Sequence, residues 1–517
     1  MASSRASEGS MAQNSGTDAA ASETTPLLAT SPVAPAGDPD VADAIATSSP
    51  KSQDKPLPKR QILLLCYARM IEPIAFFSIF PYINQMVQEN GNLADDDVGF
   101  YSGLIESLFS LTMMVVMMFW GAAADRLGRK PVLVFSLVGV ALATALFGLA
   151  KTVWQMILFR CLAGVFAGTI VTIRTMISEH STSHTQARAF GWFAFSGNLG
   201  ILIGPLLGGA LADPAGQYPR TFGGVWFFEV YPYALSSIVV GCIGLTAVFT
   251  SALFVEETLH REPKGGNEAG TAPKPPAKST WQLLKSRGVG AVLYNYGHVM
   301  LLAFAYTAIV PVFWFTKVHL GGLHFSPLQI SLFMGLTGFS QAIWLLVFFP
   351  PLQHRFGTNW VMRACGNAYP FFMAGMPFLN LLLRQGTDAA TTAFWVVTPI
   401  ALVVGPGVSM AFTAAQLALN DVSPSPQSLG MLNAVALTIS SALRSFSPAL
   451  FASLFAIGAK NQFFYGYFVW IIMAVLALGF TISTRFLPQA SEKDNEDLTA
   501  VQESPSEEDS DDTVRGD

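Results

Sequence analysis

The sequence predicts an all-α membrane protein with about twelve transmembrane helices in two six-helix bundles. Of its 517 residues, 51% are hydrophobic and only 12% are charged, whereas an average soluble domain has roughly 25% charged residues. The apolar residues form runs of about twenty, which is the length of helix that crosses ~30 Å of hydrocarbon. Helices satisfy their backbone hydrogen bonds within one segment, so these runs predict spanning helices.

The runs place six helices on each side of a polar linker. The first six are expected near 61–87, 98–122, 131–150, 152–178, 188–212 and 229–255. The second six are expected near 288–315, 328–350, 359–383, 391–419, 428–456 and 463–485. This organisation predicts five segments: a disordered cytosolic tail at 1–60, bundles at 61–255 and 288–487, a Pro/Gly/Lys-rich cytosolic linker at 256–287, and an acidic disordered tail at 488–517.

The positions of lysine and arginine predict the orientation in the membrane. Cations recur at one end of the helices, for example at Lys59, Arg126, Arg188 and Arg355, whereas the first loop at the opposite end is acidic at 95–97. Cytosolic loops are enriched in Lys and Arg. Both termini are therefore expected in the cytosol.

The loop after the second predicted helix carries a compact motif of glycines, an acid and bases. Its members are Gly121, Asp125, Arg126, Gly128, Arg129 and Lys130. The motif resembles the cytosolic loop motif of the major facilitator superfamily, and the resemblance implies a cytoplasmic gate. Asp125 is expected to accept bonds from a helix N-terminus or from an arginine across the interface of the halves. The alternative is a loop that only caps helices and sets orientation. The corresponding loop of the second half has His354 and Thr358 in place of Asp125 and Arg129, so its gate is expected to be weaker or to depend differently on pH.

The fifth predicted helix carries small residues at helical spacing. They are Gly197, Gly200, Gly204, Pro205, Gly208 and Gly209. At 100° per residue most of these glycines share one narrow stripe, against which a neighbouring helix can approach closely. The pattern resembles the antiporter motif of drug:proton exporters. Ordinary small-residue packing is the alternative.

Further stretches resemble a fungal branch of the superfamily, related to tetracycline-type exporters and zinc-induced-facilitator-like proteins. They include Glu72-Pro73 in helix one, Tyr231-Pro232-Tyr233 in helix six, Glu257-Thr258-Leu259 after it, and the segment 440–448 in helix eleven. The resemblance implies a secondary transporter that is not an enzyme, with proton-coupled efflux of a drug or secondary metabolite by alternating access. An uptake or vacuolar porter for a metabolite or metal chelate, and a non-transporting sensor, are the alternatives.

Ionisable residues inside predicted helices are candidates for proton coupling or substrate binding, because charge is costly in a bilayer. They are Arg69, Glu72, Glu106, Arg160, His298 and Arg444. Glu72 and Glu106 are the proton-coupling candidates; as alternatives, Glu72 is a structural partner of Arg69 or Arg160, and Glu106 is structural. Arg444 either meets an anionic substrate or forms a structural link. His298 is expected to be a hydrogen-bonded core group rather than a metal ligand.

The sequence indicates few other partners. Its four cysteines lie inside apolar runs, so neither disulfides nor cysteine metal sites are expected. No phosphate-binding Gly-Lys-Ser/Thr loop is present, so an ion gradient rather than ATP should supply the energy. We expect a small organic substrate, protons and a lipid membrane as partners, with no cofactor, no bound metal and no nucleic acid.

The N-terminal tail contains one short sorting-like pattern. Glu23 precedes Leu27 and Leu28 by four residues, which matches an acidic dileucine segment that a sorting adaptor could bind. Such a pattern directs proteins to vacuolar or endosomal membranes, but it is short and arises by chance. The plasma membrane is therefore favoured over the vacuolar membrane.

Overall fold

A computed structural model describes residues 57–182, 185–259, 286, 288–422 and 426–488. Within these ranges the regular structure is helical and contains no strand, which confirms the predicted all-α class. We call residues 57–259 the N-terminal half and residues 288–488 the C-terminal half. The predicted tail at 1–56, most of the linker and the tail beyond residue 488 lie outside the described residues.

Twelve long helices form the described fold, six in each half. In the N-terminal half they are α1 (Lys59–Phe77), α2 (Val98–Leu127), α3 (Arg129–Phe147), α4 (Val153–His180), α5 (Gln186–Leu211) and α6 (Ala234–Phe254). In the C-terminal half they are α7 (Val289–Phe315), α8 (Pro327–Phe356), α9 (Thr358–Arg384), α10 (Asp388–Asp421), α11 (Pro426–Lys460) and α12 (Phe468–Ser483).

Ten of these helices are long and apolar enough to cross a membrane. The other two are α1 and α9, which lie where the first and ninth spans were predicted. Helix α1 carries four charged residues, including Arg69 and Glu72, and α9 contains two prolines and two buried or half-buried polar amides. Large apolar side chains cover the periphery, and Met118 and Phe371 are 83% and 81% exposed. Such exposure is expected for a surface that faces lipid.

The first predicted span is broken where it was expected to be continuous. Helix α1 ends at Phe77, and a separate helix covers Ile83–Gly91. Pro81 has no N–H to donate to the Phe77 carbonyl and its ring disfavours a helical residue before it. The Phe80 N–H bonds that carbonyl instead, at 3.3 Å, so the chain makes a turn over 78–82.

Helix α4 is also interrupted, between Val153–Phe166 and Thr169–His180. The indole N–H of Trp120 on α2 donates to the Val165 carbonyl at 2.6 Å. This carbonyl would otherwise accept an intrahelical bond, so a side chain from the neighbouring helix replaces part of the backbone ladder.

Four other predicted spans differ at their ends or interiors. Short helical turns fill 214–230, so α6 begins at Ala234 rather than near 229. The last helix begins at Phe468 after a 3₁₀ turn over Phe463–Gly466. Helix α8 contains a π turn over Trp344–Phe348, and α10 contains a 3₁₀ segment over Gly405–Ser409; prolines at or near these points remove helical hydrogen bonds.

The buried apolar residues divide between the two halves. One core cluster has buried members only from 289–487, and three smaller clusters have buried members only from 62–255. The halves meet along two helix pairs, α2 with α11 and α5 with α8. At the first pair the backbone N–H of Ala449 donates to the Ser107 hydroxyl at 2.8 Å. Residues on α1, α2, α4 and α11 near this junction are therefore placed between the halves.

We name the two ends of the bundle by their loops. The acidic end carries the loop 95–97, between the helix Ile83–Gly91 and α2. The basic end carries residues 125–130, where α2 ends and α3 begins. Helix α1 begins at the basic end, and α2 returns to it.

Candidate functional site

Helix α1 carries Arg69 and Glu72 toward the junction of the halves. Glu72 is buried, with 6% of its surface exposed, and its carboxylate accepts a hydrogen bond from the Thr169 hydroxyl at 2.8 Å. The Arg69 guanidinium lies 5.1 Å from the centroid of the Phe193 ring on α5. Within the described ranges, no ion pair of 4.0 Å or less joins Glu72 to Arg69 or Arg160. Glu72 is thus held by a neutral hydroxyl.

Arg160 of α4 is enclosed by aromatic rings. Only 3% of its surface is exposed, and its guanidinium lies 4.5 Å from the Phe109 centroid and 5.1 Å from the Phe76 centroid. Ring faces attract a cation, but they do not replace hydrogen bonds. Its Nε and one terminal nitrogen have no hydrogen-bond partner among the described residues. Arg160 is therefore a buried cation with donors still unused.

Glu106 of α2 lies between cations from both halves. It is 3% exposed and interacts electrostatically with Arg160 of α4 and with Arg444 of α11. The sequence placed all three residues inside spans but could not show that they meet.

Arg444 reaches from the C-terminal half into the N-terminal half. Its guanidinium lies 4.4 Å from the centroid of Phe76 on α1. It interacts electrostatically with Glu72, Arg69 and Glu106. The junction therefore brings together five of the six ionisable candidates, on four helices.

Sequence reasoning missed Arg174, which joins the same cluster. Its guanidinium lies 5.4 Å from the Phe193 centroid, and it interacts electrostatically with Arg69, Tyr296 and Glu72. Arg174 follows Arg160 by fourteen positions, which at 100° per residue puts both on nearly one face of a regular helix; that spacing was the available signal. Arg174 is exposed although it faces α5 and α7. The space between the halves is therefore open around it.

His298 lies apart from this cluster. One ring nitrogen is 2.9 Å from the Leu476 carbonyl oxygen on α12, and the ring packs against Phe480. His298 is therefore hydrogen-bonded and packed within the C-terminal half. Among the described residues, no group of three or more His, Cys, Asp or Glu side chains could hold a metal ion.

Four of the five glycines of the α5 motif lie against α1, where their spacing favours close approach of a neighbouring helix. A Cβ atom at Gly200 would lie 2.7 Å from the Met70 carbonyl oxygen, and one at Gly204 would lie 3.0 Å from the Ile74 carbonyl oxygen. A Cβ at Gly208 would clash with the Ser78 carbonyl, and one at Gly197 would lie 3.3 Å from the Arg69 guanidinium. Gly209, beyond Pro205 in the same helix, instead contacts α8, where a Cβ would lie 2.6 Å from the Pro327 carbonyl oxygen. The stripe allows α5 to approach α1, and Gly209 allows it to approach the other half.

Three ion pairs join the halves at the acidic end. Lys317 lies 2.6 Å from Asp95, and Lys460 lies 3.3 Å from Asp96 and 3.1 Å from Asp97. The hydrogen bond from Lys317 lowers the pKa of the Asp95 carboxyl. The acidic loop at 95–97 is therefore paired with two cations of the C-terminal half.

A pocket of about 670 Å³ lies beside the Asp95–Lys317 pair. Residues of both halves line it, including Glu89, Asp213 and Gln217 from one and His324 from the other. Most of its lining residues are polar, it lies at the acidic end, and none of the clustered arginines lines it.

At the basic end, the predicted gate residues form contacts within the N-terminal half. Arg129 pairs with Asp125 at 3.2 Å and with Glu179 at 3.0 Å. Gly128 has a φ of +116°, which a residue with a side chain adopts only with strain, and Gly121 faces Val171 of α4. Arg126 is exposed and Lys130 half-buried. We expected Asp125 to accept bonds from a helix N-terminus or from an arginine across the junction. Its ion-pair partner is instead Arg129, four residues further along the chain.

Glu257 occupies the helix N-terminus that Asp125 was expected to serve. Its carboxylate accepts hydrogen bonds from the backbone N–H groups of Arg129, at 2.9 Å, and Lys130, at 3.1 Å. Partial burial raises the pKa of Glu257, but backbone donors including these outweigh it and leave the pKa lowered. The sequence singles out Glu257 only through the family resemblance, because its role as the cap of α3 depends on a contact between residues 128 apart in the chain.

The sorting-like residues Glu23, Leu27 and Leu28 lie outside the described residues. Their predicted role therefore stays a prediction.

These features define a class of protein. Lipid-facing helices surround a junction of two halves at which charged side chains are buried, ion pairs join the halves at one end, and glycines permit close helix contacts. This is the architecture of a membrane transporter that moves small molecules between two faces of a bilayer.

Comparison with known proteins identifies the family. The family model described as Major Facilitator Superfamily matches residues 65–448, so the chain belongs to the major facilitator superfamily and is a secondary transporter, not an enzyme. It is 46% identical to the efflux pump azaK of Aspergillus niger, over 92% of this chain and 97% of that protein. It is 28% identical to the multidrug transporter mfsB of Aspergillus fumigatus, over 86% of each chain. The predicted family and its fungal branch are confirmed.

Solved structures show the same fold. A D-xylose–proton symporter matches with a TM-score of 0.62 at 12% identity, covering 83% of this chain and 98% of that one. An inward-facing bacterial homologue of the human lysosomal transporter Spinster matches with a TM-score of 0.56 at 18% identity, covering 84% and 95%. At these identities the likeness establishes the fold alone.

Proposed function

We propose that this transporter exports small organic molecules, such as a drug or a secondary metabolite, by alternating access coupled to protons. The bundles 61–255 and 288–487 would move against each other about the junction. The observation that carries the proposal is the buried carboxylate Glu72 among arginines of both halves. The Aspergillus relatives, an efflux pump and a multidrug transporter, support the proposed direction of transport.

Glu72 is the proposed proton carrier. It is buried and takes one hydrogen bond from a neutral hydroxyl, that of Thr169. Arg174 and Arg444 interact with it electrostatically. A carboxylate in such a site changes the local charge balance when it gains or loses a proton. Because Arg444 belongs to the other half, that change can bias how the halves meet. Glu106, which Arg160 and Arg444 flank, is the second candidate.

The two ends are the proposed gates. The contacts of Asp95 with Lys317, and of Asp96 and Asp97 with Lys460, would close the acidic end and separate when it opens. At the basic end, the loop from Gly121 to Lys130 would form the opposing gate. The open space around Arg174 lies nearer the basic end, so the described arrangement supports entry of substrate from that side.

We further propose that the basic end and both termini face the cytosol, in keeping with the cations along that end. The plasma membrane is favoured over the vacuolar membrane, with an adaptor that binds Glu23, Leu27 and Leu28 as a competing influence. Imaging a tagged chain settles the location. If a vacuolar pool exists, replacing both leucines with alanine should shift it to the cell surface.

Purified protein in sealed vesicles tests the function. With an imposed pH gradient, wild type should move at least one compound from a panel of organic dyes and zinc, in exchange for protons. Glu72→Gln should abolish the proton-driven accumulation, because an amide of similar shape does not exchange a proton. Glu229→Gln is the matched control, since Glu229 is an exposed carboxylate on a short turn at the acidic end.

Two results would contradict the proposal. If the Glu72→Gln protein still accumulates a compound against its gradient when driven by pH, Glu72 is structural. If the compound moves in the same direction as the protons, the protein is an uptake porter rather than an exporter.

A further inference from the structure

The charges at the junction are unequal. Arginines Arg69, Arg160, Arg174 and Arg444 approach the same region, which holds two carboxylates, Glu72 and Glu106. Four cations against two ionised carboxylates leave a surplus of two positive charges. Arginine stays protonated in proteins, so this surplus does not titrate away.

Several N–H donors of these arginines also lack hydrogen-bond acceptors. In the described part of the chain, Nε and one terminal nitrogen of both Arg69 and Arg160 are buried without a hydrogen-bond partner. No ion pair of 4.0 Å or less joins any of the four arginines to either carboxylate there. A buried donor without a partner is costly, and a guanidinium suits a carboxylate in geometry and charge. The missing acceptor is thus chemically an anion.

The residues around these arginines indicate the chemistry of the rest of the bound molecule. Phe76, Phe109 and Phe193 provide ring faces beside the guanidinium groups. Tyr296 of α7 approaches Arg174 from the other half. An apolar, ring-containing body would pack against these residues, while its acidic group met the arginines.

We propose that the transported substrate is an amphipathic organic anion, bound at the junction with its acidic group on Arg444 and Arg174. This rests on the proposed function only in taking the junction as the substrate site. It does not depend on which way protons move. Arg444 and Arg174 are the chosen contacts because one comes from each half and both lie nearer to open space than the enclosed Arg160.

Two dyes with the same ring system and opposite charge test the proposal. Fluorescein is anionic and rhodamine 123 is cationic, and fluorescence polarisation measures the binding of each to purified protein without any gradient. Wild type should bind fluorescein at least about tenfold more tightly than rhodamine 123, which is the effect of ~1.4 kcal/mol. Arg444→Gln and Arg174→Gln should each weaken fluorescein binding by about tenfold or more, while Arg444→Lys should keep the preference for the anion.

Arg355→Gln is the control, because Arg355 is exposed at the basic-end tip of α8, outside the cluster. It should leave fluorescein binding unchanged. Elution of a variant as a single monodisperse peak shows that it is folded, so its weaker binding is not due to unfolding. If Arg444→Gln does not fold, Arg174→Gln still tests the proposal, because Arg174 is exposed.

Equal affinity for the two dyes, tighter binding of rhodamine 123, or no saturable fluorescein binding would overturn the proposal. Unchanged fluorescein affinity in both folded Arg→Gln variants would overturn it as well. If fluorescein binds as expected but is not moved in vesicles, the proposed function fails and the anion site stands.

Discussion

Replacing Gly200 with alanine tests how closely α5 must approach α1. A Cβ atom there would lie 2.7 Å from the Met70 carbonyl oxygen and 2.9 Å from the Pro73 Cβ. Ordinary contact begins at 3.4 Å, so the two helices would have to separate by about 0.7 Å, the difference between 3.4 and 2.7 Å. Met70 and Pro73 flank Glu72, so the separation would also displace the proposed proton carrier.

The expected cost has two opposing parts. Overpacking of a tight contact costs roughly 1–3 kcal/mol, whereas alanine is favoured over glycine inside a helix by about 1 kcal/mol. Gly191→Ala on the same helix isolates the second part, because no atom lies within 4 Å of a Cβ at that position. Gly200→Ala should therefore be less stable than Gly191→Ala by about 1–3 kcal/mol, and it should transport more slowly.

Heating the detergent-solubilised proteins and measuring the monodisperse fraction by size-exclusion chromatography ranks their stability. Vesicle transport measures the functional effect. Gly200→Val should be worse than Gly200→Ala, since it adds two more carbons to the same contact. Equal stability and equal transport of Gly200→Ala and Gly191→Ala would refute the reasoning that α1 and α5 need this contact.

Two further predictions concern the ends of the molecule. Asp125→Asn should remove most transport but destabilise the protein by less than about 1 kcal/mol, because the Asp125 side chain is 69% exposed; normal transport by the folded variant would contradict the gate. At the acidic end, Lys317 lowers the pKa of Asp95. The stabilisation from this ion pair is therefore fully present above the ordinary aspartate pKa of about 3.9, and it is lost as the pH falls through the lowered pKa of Asp95. Wild type should therefore lose more thermal stability than Lys317→Met between about pH 5 and pH 3, and identical pH profiles would show that the pair contributes nothing.

Local patterns in the chain were enough to predict much of the fold. Runs of apolar residues located the helices, and the spacing of Gly200, Gly204 and Gly208 identified the face of α5 that packs closely. Errors occurred where a distant contact or a proline decided the outcome. The Trp120 indole interrupts α4 through a contact 45 residues away in sequence, and Pro81 ends a span that its apolar neighbours extend. The spacing of apolar residues along the chain shows neither the Trp120 contact nor the break at Pro81.

The candidate site divides in the same way. The sequence by itself determined which residues are ionisable and lie within spans, because an arginine or glutamate among apolar residues is conspicuous in a bilayer. It did not determine which of them meet. Arg444 and Glu106 are separated by more than three hundred residues in the chain, and only the packing of α11 against α2 brings them together. Charge interactions depend on distance in space and on burial, and the tertiary structure alone sets both.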